Sequence, residues 1–133
     1  MGKLLKKMSR TFIIRTVASF YRDEDYDLIL KHLRKPFSTK RFEEVLSNIF
    51  RILALQQTNQ NAWKDEFNYL RENEMLKVFN EDTEHFLDMY LMERLGFVYY
   101  TTHEINMDKV PKIVRKTFDI KRPIMSSFDK SNS

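Results

Sequence analysis

The 133-residue sequence contains no cysteine, and this absence excludes several classes of function. Disulfide bonds, thiolate zinc sites, iron–sulfur clusters and thiol nucleophiles all need a sulfur atom that the chain lacks. Glycine is nearly as scarce, with only Gly2 and Gly96, so the chain has no glycine-rich phosphate-binding loop. No apolar run approaches the roughly 18 residues that a membrane-spanning helix needs. The scarcity of helix-breaking residues favours a mainly helical chain.

The positive charge of the chain is small. Lysine and arginine number 23 against 19 acidic residues, which gives a net charge of +4. Such a charge only mildly favours binding to phosphate groups or acidic protein surfaces. Most charged side chains are therefore expected to lie on solvent-exposed helix faces. The length and the 42% hydrophobic content suit one globular domain. We assign this domain to residues 1–122 and a flexible polar tail to residues 123–133.

Hydrophobic spacing predicts four helices before residue 75. The first has an apolar side that continues to Phe20 and an opposite basic side. The second runs from about Glu24 to Lys35, where Pro36 ends it. The third has an apolar stripe from Phe42 to Leu53, and the fourth follows a polar break at residues 56–61. The basic residues of the first helix are Lys3, Lys6, Lys7 and Arg10. The first 22 residues contain no acid, so a mitochondrial targeting peptide is the alternative interpretation of this segment.

Two strands and a last helix are predicted in the second half. Residues 75–79 are short and apolar, and residues 97–102 are aromatic and β-branched, as is typical of strands. Residues 80–95 between them are predicted to be a short helix or an ordered excursion. The last helix is predicted from about Met107 to Ile120. The fold class is therefore mainly α with a small β hairpin: an extended winged helix with additional N- and C-terminal helices.

The sequence offers no set of residues with the spacing of a metal or catalytic site. His32, His85 and His103 lack a metal-ligand spacing, and the acids around His85 are interpreted as a solvated helix face. Nothing in the sequence marks a strained nucleophile or its base. We therefore expect no enzymatic activity, no cofactor and no bound metal.

Two stretches of sequence carry a family resemblance. Residues 13–21, Ile-Ile-Arg-Thr-Val-Ala-Ser-Phe-Tyr, precede an aliphatic stretch at 27–33. Residues 97–100, Phe-Val-Tyr-Tyr, precede residues 106–116, a helix-like segment with Pro111 near its start. These stretches resemble the opening helices, the wing strand and the following helix of the large subunit of general transcription factor E. Residues 53–79 are more loosely similar to its helix-turn-helix and first wing strand. Family members usually continue into a zinc ribbon, which this cysteine-free chain lacks.

The resemblance implies a general transcription initiation factor without catalysis. Such a domain docks on the clamp of a multisubunit RNA polymerase and assists promoter opening, with weak binding to promoter DNA and a possible second factor E subunit. No membrane partner is expected. The acids Glu81, Asp82, Glu84 and Asp88 would repel phosphates, which disfavours direct DNA contact by the wing. The residues assigned to polymerase or DNA binding are Asn61, Trp63, Lys64, Tyr69, Arg71, Tyr90, Tyr99, Tyr100, Lys109, Lys112, Arg115 and Lys116.

Two other functions stay open at this point. One is a sequence-specific winged-helix DNA-binding regulator, which should bind duplex DNA without polymerase and with a steep salt dependence. The other is a helical protein-interaction domain with no role at DNA. The expected location is the nucleus in a eukaryote and otherwise the cytoplasm, and a cleaved N-terminus would instead indicate an organelle.

Overall fold

A computed structural model describes residues 10–99 and 101–118, and these residues form helices joined by loops. The chain divides into two compact units, an N-terminal unit (Met1–Val78) and a C-terminal unit (Phe79–Ser133). The N-terminal unit contains α1 (Arg10–Arg22), α2 (Tyr26–His32), α3 (Phe42–Gln57), α4 (Ala62–Glu72) and a 3-10 turn (Met75–Val78). The C-terminal unit contains α5 (Glu81–Arg94), a 3-10 turn (Met107–Lys109) and α6 (Lys112–Thr117). The prediction of one domain over residues 1–122 stays a prediction, and the predicted tail lies outside the described residues.

Helix α3 is the central helix of the N-terminal unit. All twelve residues from 44 to 55 are buried, and α1, α2 and α4 each pack against this helix. Its apolar side chains include Ile49, Phe50 and Leu53, each at most 1% exposed. Burying a side chain of this size stabilises a fold by about 1.5–3 kcal/mol. The helix predicted from the stripe between Phe42 and Leu53 is confirmed.

Four of the described helices are followed by a residue in the left-handed conformation: Glu24 (φ 61°) after α1, Asn59 (φ 58°) after α3, Glu74 (φ 50°) after α4 and Gly96 (φ 90°) after α5. After α1, α3 and α5 the next N–H donates to a carbonyl five residues back, as in a Schellman motif: Asp25 to Phe20 (2.8 Å), Gln60 to Leu55 (2.9 Å) and Phe97 to Met92 (2.7 Å). Only one of these sites has glycine. The glycine-poor sequence therefore places side-chain-bearing residues in a conformation that costs them roughly 1–2 kcal/mol.

The C-terminal unit is built on α5. Asn80 caps the start of this helix, because its side-chain oxygen accepts a hydrogen bond from Thr83 N–H at 2.9 Å. The same side chain donates to the Lys109 carbonyl at 2.8 Å and so connects the helix start to the second 3-10 turn. The core of the unit contains Tyr90 and Phe118, whose ring centroids lie 4.8 Å apart.

The predicted β hairpin is wrong for the residues that the structure describes. Residues 75–78 form a 3-10 turn, and residues 97–99, 101 and 102 have no regular secondary structure. The segment between them is a full helix of 14 residues, capped by Asn80, which takes the place of the short turn that a hairpin needs. Short apolar runs do not distinguish a strand from a buried turn, and strand preference depends strongly on packing. The winged-helix fold class is therefore replaced by an all-helical one for the described residues.

The last helix is also shorter than predicted. Residues 107–109 form a 3-10 turn, Pro111 occupies the N-cap position of α6, and the helix proper covers Lys112–Thr117. Proline fixes φ and has no N–H to donate, so it begins a helix more readily than it continues one. Residues 119 and 120 lie outside the described range.

Candidate functional site

A cluster of ionisable side chains lies at the start of α5. It contains Glu81 and His85, one helical turn apart, and His103, which belongs to the loop between α5 and the second 3-10 turn. One ligand atom from each of the three residues lies within 4.8 Å of the others. Residues at positions i and i+4 share a helix face, and the fold of the loop brings His103 onto that face.

The two imidazole rings are stacked beside one carboxylate. Their centroids are 4.0 Å apart and their planes differ by 14°. Glu81 Oε1 lies 4.0 Å from His85 Nε2 and 3.8 Å from His103 Nδ1. One carboxylate oxygen thus lies within about 4 Å of one nitrogen of each ring.

The remaining ring nitrogen of each histidine has its own partner. His103 Nε2 lies 3.3 Å from Asp82 Oδ1, and His85 Nδ1 lies 3.5 Å from the Tyr99 hydroxyl. Asp82 is itself fixed, because its carboxylate accepts a 2.9 Å hydrogen bond from Asn106 N–H. That backbone hydrogen bond, helped by His103, lowers the pKa of Asp82 below its usual value. The carboxylate therefore stays ionised beside the imidazole of His103.

Local sequence explains why the cluster assembles. The acids at the start of α5 lie where the helix dipole favours negative charge. The loop is shaped by short-range hydrogen bonds: His103 N–H donates to Thr101 Oγ1 (2.9 Å), and Asp108 N–H donates to Asn106 Oδ1 (3.1 Å). The two histidine side chains are about a quarter to a third exposed, at 31% and 26%, so the site is open to ions from solution.

This arrangement has the features of a site for a divalent transition metal. Neutral imidazole and carboxylate are ligands of zinc, iron and copper in proteins. A ligating histidine usually holds its second nitrogen against a carboxylate, hydroxyl or carbonyl group, which fixes the tautomer and the ring orientation. Asp82 and Tyr99 occupy these positions here. Two histidines and one glutamate would leave at least one coordination position for water.

The predicted binding residues of α4 are mainly on its surface. Asn61, Lys64 and Arg71 are exposed, and Tyr69 is 44% exposed, whereas Trp63 is half-buried. The Lys64 ammonium lies 5.8 Å from the centre of the Trp63 ring, within the range of a cation–π contact. Acidic residues share this exposed surface, so its charge is mixed.

The other predicted residues are divided between surface and core. The exposed basic residues are Lys109, Lys112, Arg115 and Lys116. Tyr90 is only 2% exposed, so its ring packs in the core and is not available to a partner. This is a correction: helical spacing showed that Tyr90 shares a face with other apolar residues, and that face is buried. Tyr99 is half-buried beside His85. Tyr100, Lys3, Lys6 and Lys7, and the side chain of Arg10, lie outside the described residues.

Sequence reasoning missed the histidine cluster. The i, i+4 spacing of Glu81 and His85 shows in the sequence that two of the three residues share a helix face. His103 follows 18 positions after His85 in the sequence, and only the return of the loop to α5 reveals the third member.

No protein-family model, no curated protein and no solved structure matches this chain. The resemblance to the large subunit of general transcription factor E therefore stays a prediction. Within the described part of the chain, no helix is both long enough and apolar enough to span a bilayer.

Proposed function

We propose that the C-terminal unit binds a divalent transition metal ion through Glu81, His85 and His103. The observation that carries this proposal is the convergence of one carboxylate oxygen and two ring nitrogens, each ring also held from its other side. Solvated acidic helix faces are common, but they do not bring a second, stacked imidazole to the same point. The proposal departs from the expectation, based on sequence, that the chain holds no metal.

Forming the site requires a movement of Glu81 and a turn of at least one ring, because the metal-binding lone pairs lie in the ring planes and the planes of the stacked rings differ by only 14°. Ligands 2.0–2.1 Å from a tetrahedral zinc ion lie about 3.3 Å from one another. The corresponding distances from Glu81 to the rings are 3.8 and 4.0 Å. The Glu81 side chain is 74% exposed, so it can move by this amount without disturbing the core. The positive charge of a metal ion would also offset the electrostatic repulsion between the carboxylates of Glu81 and Asp82.

The ligand types favour a transition metal ion over magnesium or calcium. Imidazole suits zinc, iron, nickel and copper, while magnesium and calcium prefer oxygen ligands alone. The absence of cysteine excludes a thiolate site, and a site of two histidines and one glutamate with an open position resembles catalytic zinc sites in ligand composition. We therefore use Zn²⁺ as the test ion, and Mg²⁺ as the control ion that should not bind.

The direct test is a competition titration of the full chain against a chromophoric zinc chelator. We expect about one zinc ion per chain, with a loss of affinity of at least about tenfold in His85→Gln and in His103→Gln. Cobalt substitution should give the visible absorption of a low-coordinate nitrogen and oxygen site. Far-UV circular dichroism of each variant without metal checks that the helices remain.

The matched control is His32→Gln. His32 lies in the N-terminal unit, and its Nδ1 pairs with the Leu28 carbonyl at 2.9 Å, so it belongs to no ligand cluster. It should bind zinc like the unmodified chain. An equal loss of zinc affinity in all three histidine variants would indicate nonspecific binding of zinc to surface histidines. Absence of zinc binding in a folded chain would make the cluster a structural connection between the loop and α5.

Docking on a multisubunit RNA polymerase remains a second, separate prediction. Two features support it: the exposed Lys64, Tyr69 and Arg71 of α4, and the exposed basic side chains of α6. The wing hairpin that formed part of its basis is not present in the described residues. Changing Lys112 and Lys116 to Glu should leave the helical circular dichroism unchanged but reduce co-purification with polymerase, mostly through a slower association rate. No co-purification by the unmodified chain would reject this role without affecting the metal proposal.

A further inference from the structure

A groove in the N-terminal unit has a composition that suits a cationic side chain. It has a volume of about 240 Å³ and lies between the loop of residues 36–38 and helix α4. Besides the loop, Asn48, Asp65, Glu66 and Tyr69 line it. The lining contains two carboxylates, two aromatic side chains and no basic group. The Tyr69 side chain is 44% exposed, although exposure of a large ring to water is unfavourable without a partner.

Hydrogen bonds hold both sides of the groove in place. The Asn48 side chain accepts from Phe37 N–H at 2.7 Å and donates to the Phe37 carbonyl at 2.9 Å, which fixes the loop on α3. On the other side, both carboxylate oxygens of Glu66 accept hydrogen bonds from Arg51. A preformed groove lowers the entropy that a ligand must lose with its receptor on binding.

The charge of the groove comes mainly from one residue. Arg51 offsets the charge of Glu66, so Asp65 is the carboxylate whose charge is left for a ligand. Asp65 is exposed on the first turn of α4. The exposed Arg34, Lys35 and Lys64 lie within two positions of lining residues in the sequence but do not line the groove, so at longer range their charges oppose the attraction of a cation. Affinity must then come from contact and only weakly from long-range steering.

We infer that this groove binds the side chain of an arginine of a partner protein. A guanidinium group forms bidentate hydrogen bonds with a carboxylate such as Asp65 and stacks on aromatic rings such as Tyr69 and Phe37. It is also more weakly hydrated than an ammonium group, so it loses less on entering a mainly apolar groove. Lysine can satisfy the charge but not the planar stacking.

The test uses two-dimensional NMR of the ¹⁵N-labelled full chain with three blocked pentapeptides. They have alanine at every position except the centre, which is arginine, lysine or citrulline, the neutral isostere of arginine. We expect saturable shifts at residues 36–38 and 65–69 with the arginine peptide and a dissociation constant on the order of 1 mM. The lysine peptide should bind about threefold or more weakly, and the citrulline peptide should cause no saturable shift.

A pair of variants separates the groove from general electrostatics. Asp65→Asn should weaken binding of the arginine peptide at least about fivefold. Glu72→Gln removes an exposed acid of the same helix outside the groove and should leave binding of the peptide unchanged. Equal binding of the citrulline peptide, shifts centred elsewhere, or equal effects of the two variants would each overturn the inference. So would the absence of saturation with the arginine peptide up to about 10 mM.

Discussion

Arg51 of α3 and Glu66 of α4 form a buried, bidentate ion pair. The arginine Nε and Nη2 atoms donate to the two carboxylate oxygens at 2.9 and 2.7 Å, and the side chains are 10% and 15% exposed. The third guanidinium nitrogen donates to the Leu33 carbonyl at the end of α2. One side chain from the most buried helix therefore connects three helices of the N-terminal unit.

Removing one member of this pair should destabilise the fold strongly. In Arg51→Met, the Glu66 carboxylate loses its cation and the Leu33 carbonyl loses its donor, so we expect a loss of about 3 kcal/mol in the free energy of unfolding. The double variant Arg51→Met with Glu66→Leu should cost less, about 1–2 kcal/mol, because no charge stays buried without a partner and only the Leu33 carbonyl still lacks its donor. Urea unfolding followed by circular dichroism measures both. A double variant as unstable as the single one would show that packing, and not the pairing of charges, is what the arginine provides.

Glu24→Gly should stabilise the chain. Glu24 is exposed and adopts a φ of 61°, a conformation that is unfavourable for a residue with a side chain. We expect the free energy of unfolding to rise by about 0.5–1 kcal/mol, because the greater freedom of glycine in the unfolded chain offsets part of the relieved strain. The control is Lys64→Gly in the exposed helical part of α4, which should instead cost about 0.5–1 kcal/mol. Thermal unfolding of the two variants should shift in opposite directions. A lowered melting temperature for Glu24→Gly would contradict the assigned backbone conformation.

Zinc should stabilise the C-terminal unit. If the ion binds the folded unit and not the unfolded chain, free zinc at about 100 times its dissociation constant adds about 2.7 kcal/mol to the free energy of unfolding. Urea unfolding with and without zinc measures the effect, and excess chelator should reverse it. Magnesium at the same concentration should have no effect, since it favours oxygen ligands. An unchanged midpoint in saturating zinc would contradict binding to a folded site.

Asp82→Asn should weaken zinc binding without removing a ligand. The amide still accepts the hydrogen bond from Asn106 N–H, but it no longer places a negative charge 3.3 Å from His103 Nε2. Loss of such a partner typically lowers metal affinity about 10- to 100-fold. Glu104→Gln removes an exposed charge next to His103 in the sequence and should leave the affinity nearly unchanged. Equal effects of the two variants would show that local charge alone, and no specific support of the histidine, is responsible.

The sequence by itself determined most of the helical core. The apolar stripe of α3 predicts a helix close to the one observed, because hydrophobic periodicity acts over a few residues. The second helix, predicted from about Glu24 to Lys35, covers only Tyr26–His32 and ends before Pro36. The sequence did not determine the second half. Residues 75–79 and 97–102 have the composition of strands, but a strand forms only with a partner, and the Asn80-capped α5 prevents the hairpin that would supply one.

Tertiary structure completed both candidate sites. His103 reaches Glu81 and His85 because the loop after α5 returns to the start of that helix, and Asp65 joins Phe37 in a groove because Asn48 holds the loop in place. His103 is 18 and 22 positions from His85 and Glu81, and Asp65 is 28 positions from Phe37, which is beyond the range of any helical or strand repeat. Periodicity showed that Tyr90 lies on an apolar face, and only packing showed that this face is buried. Local rules specify which residues share an element, whereas chain closure and packing specify which elements meet.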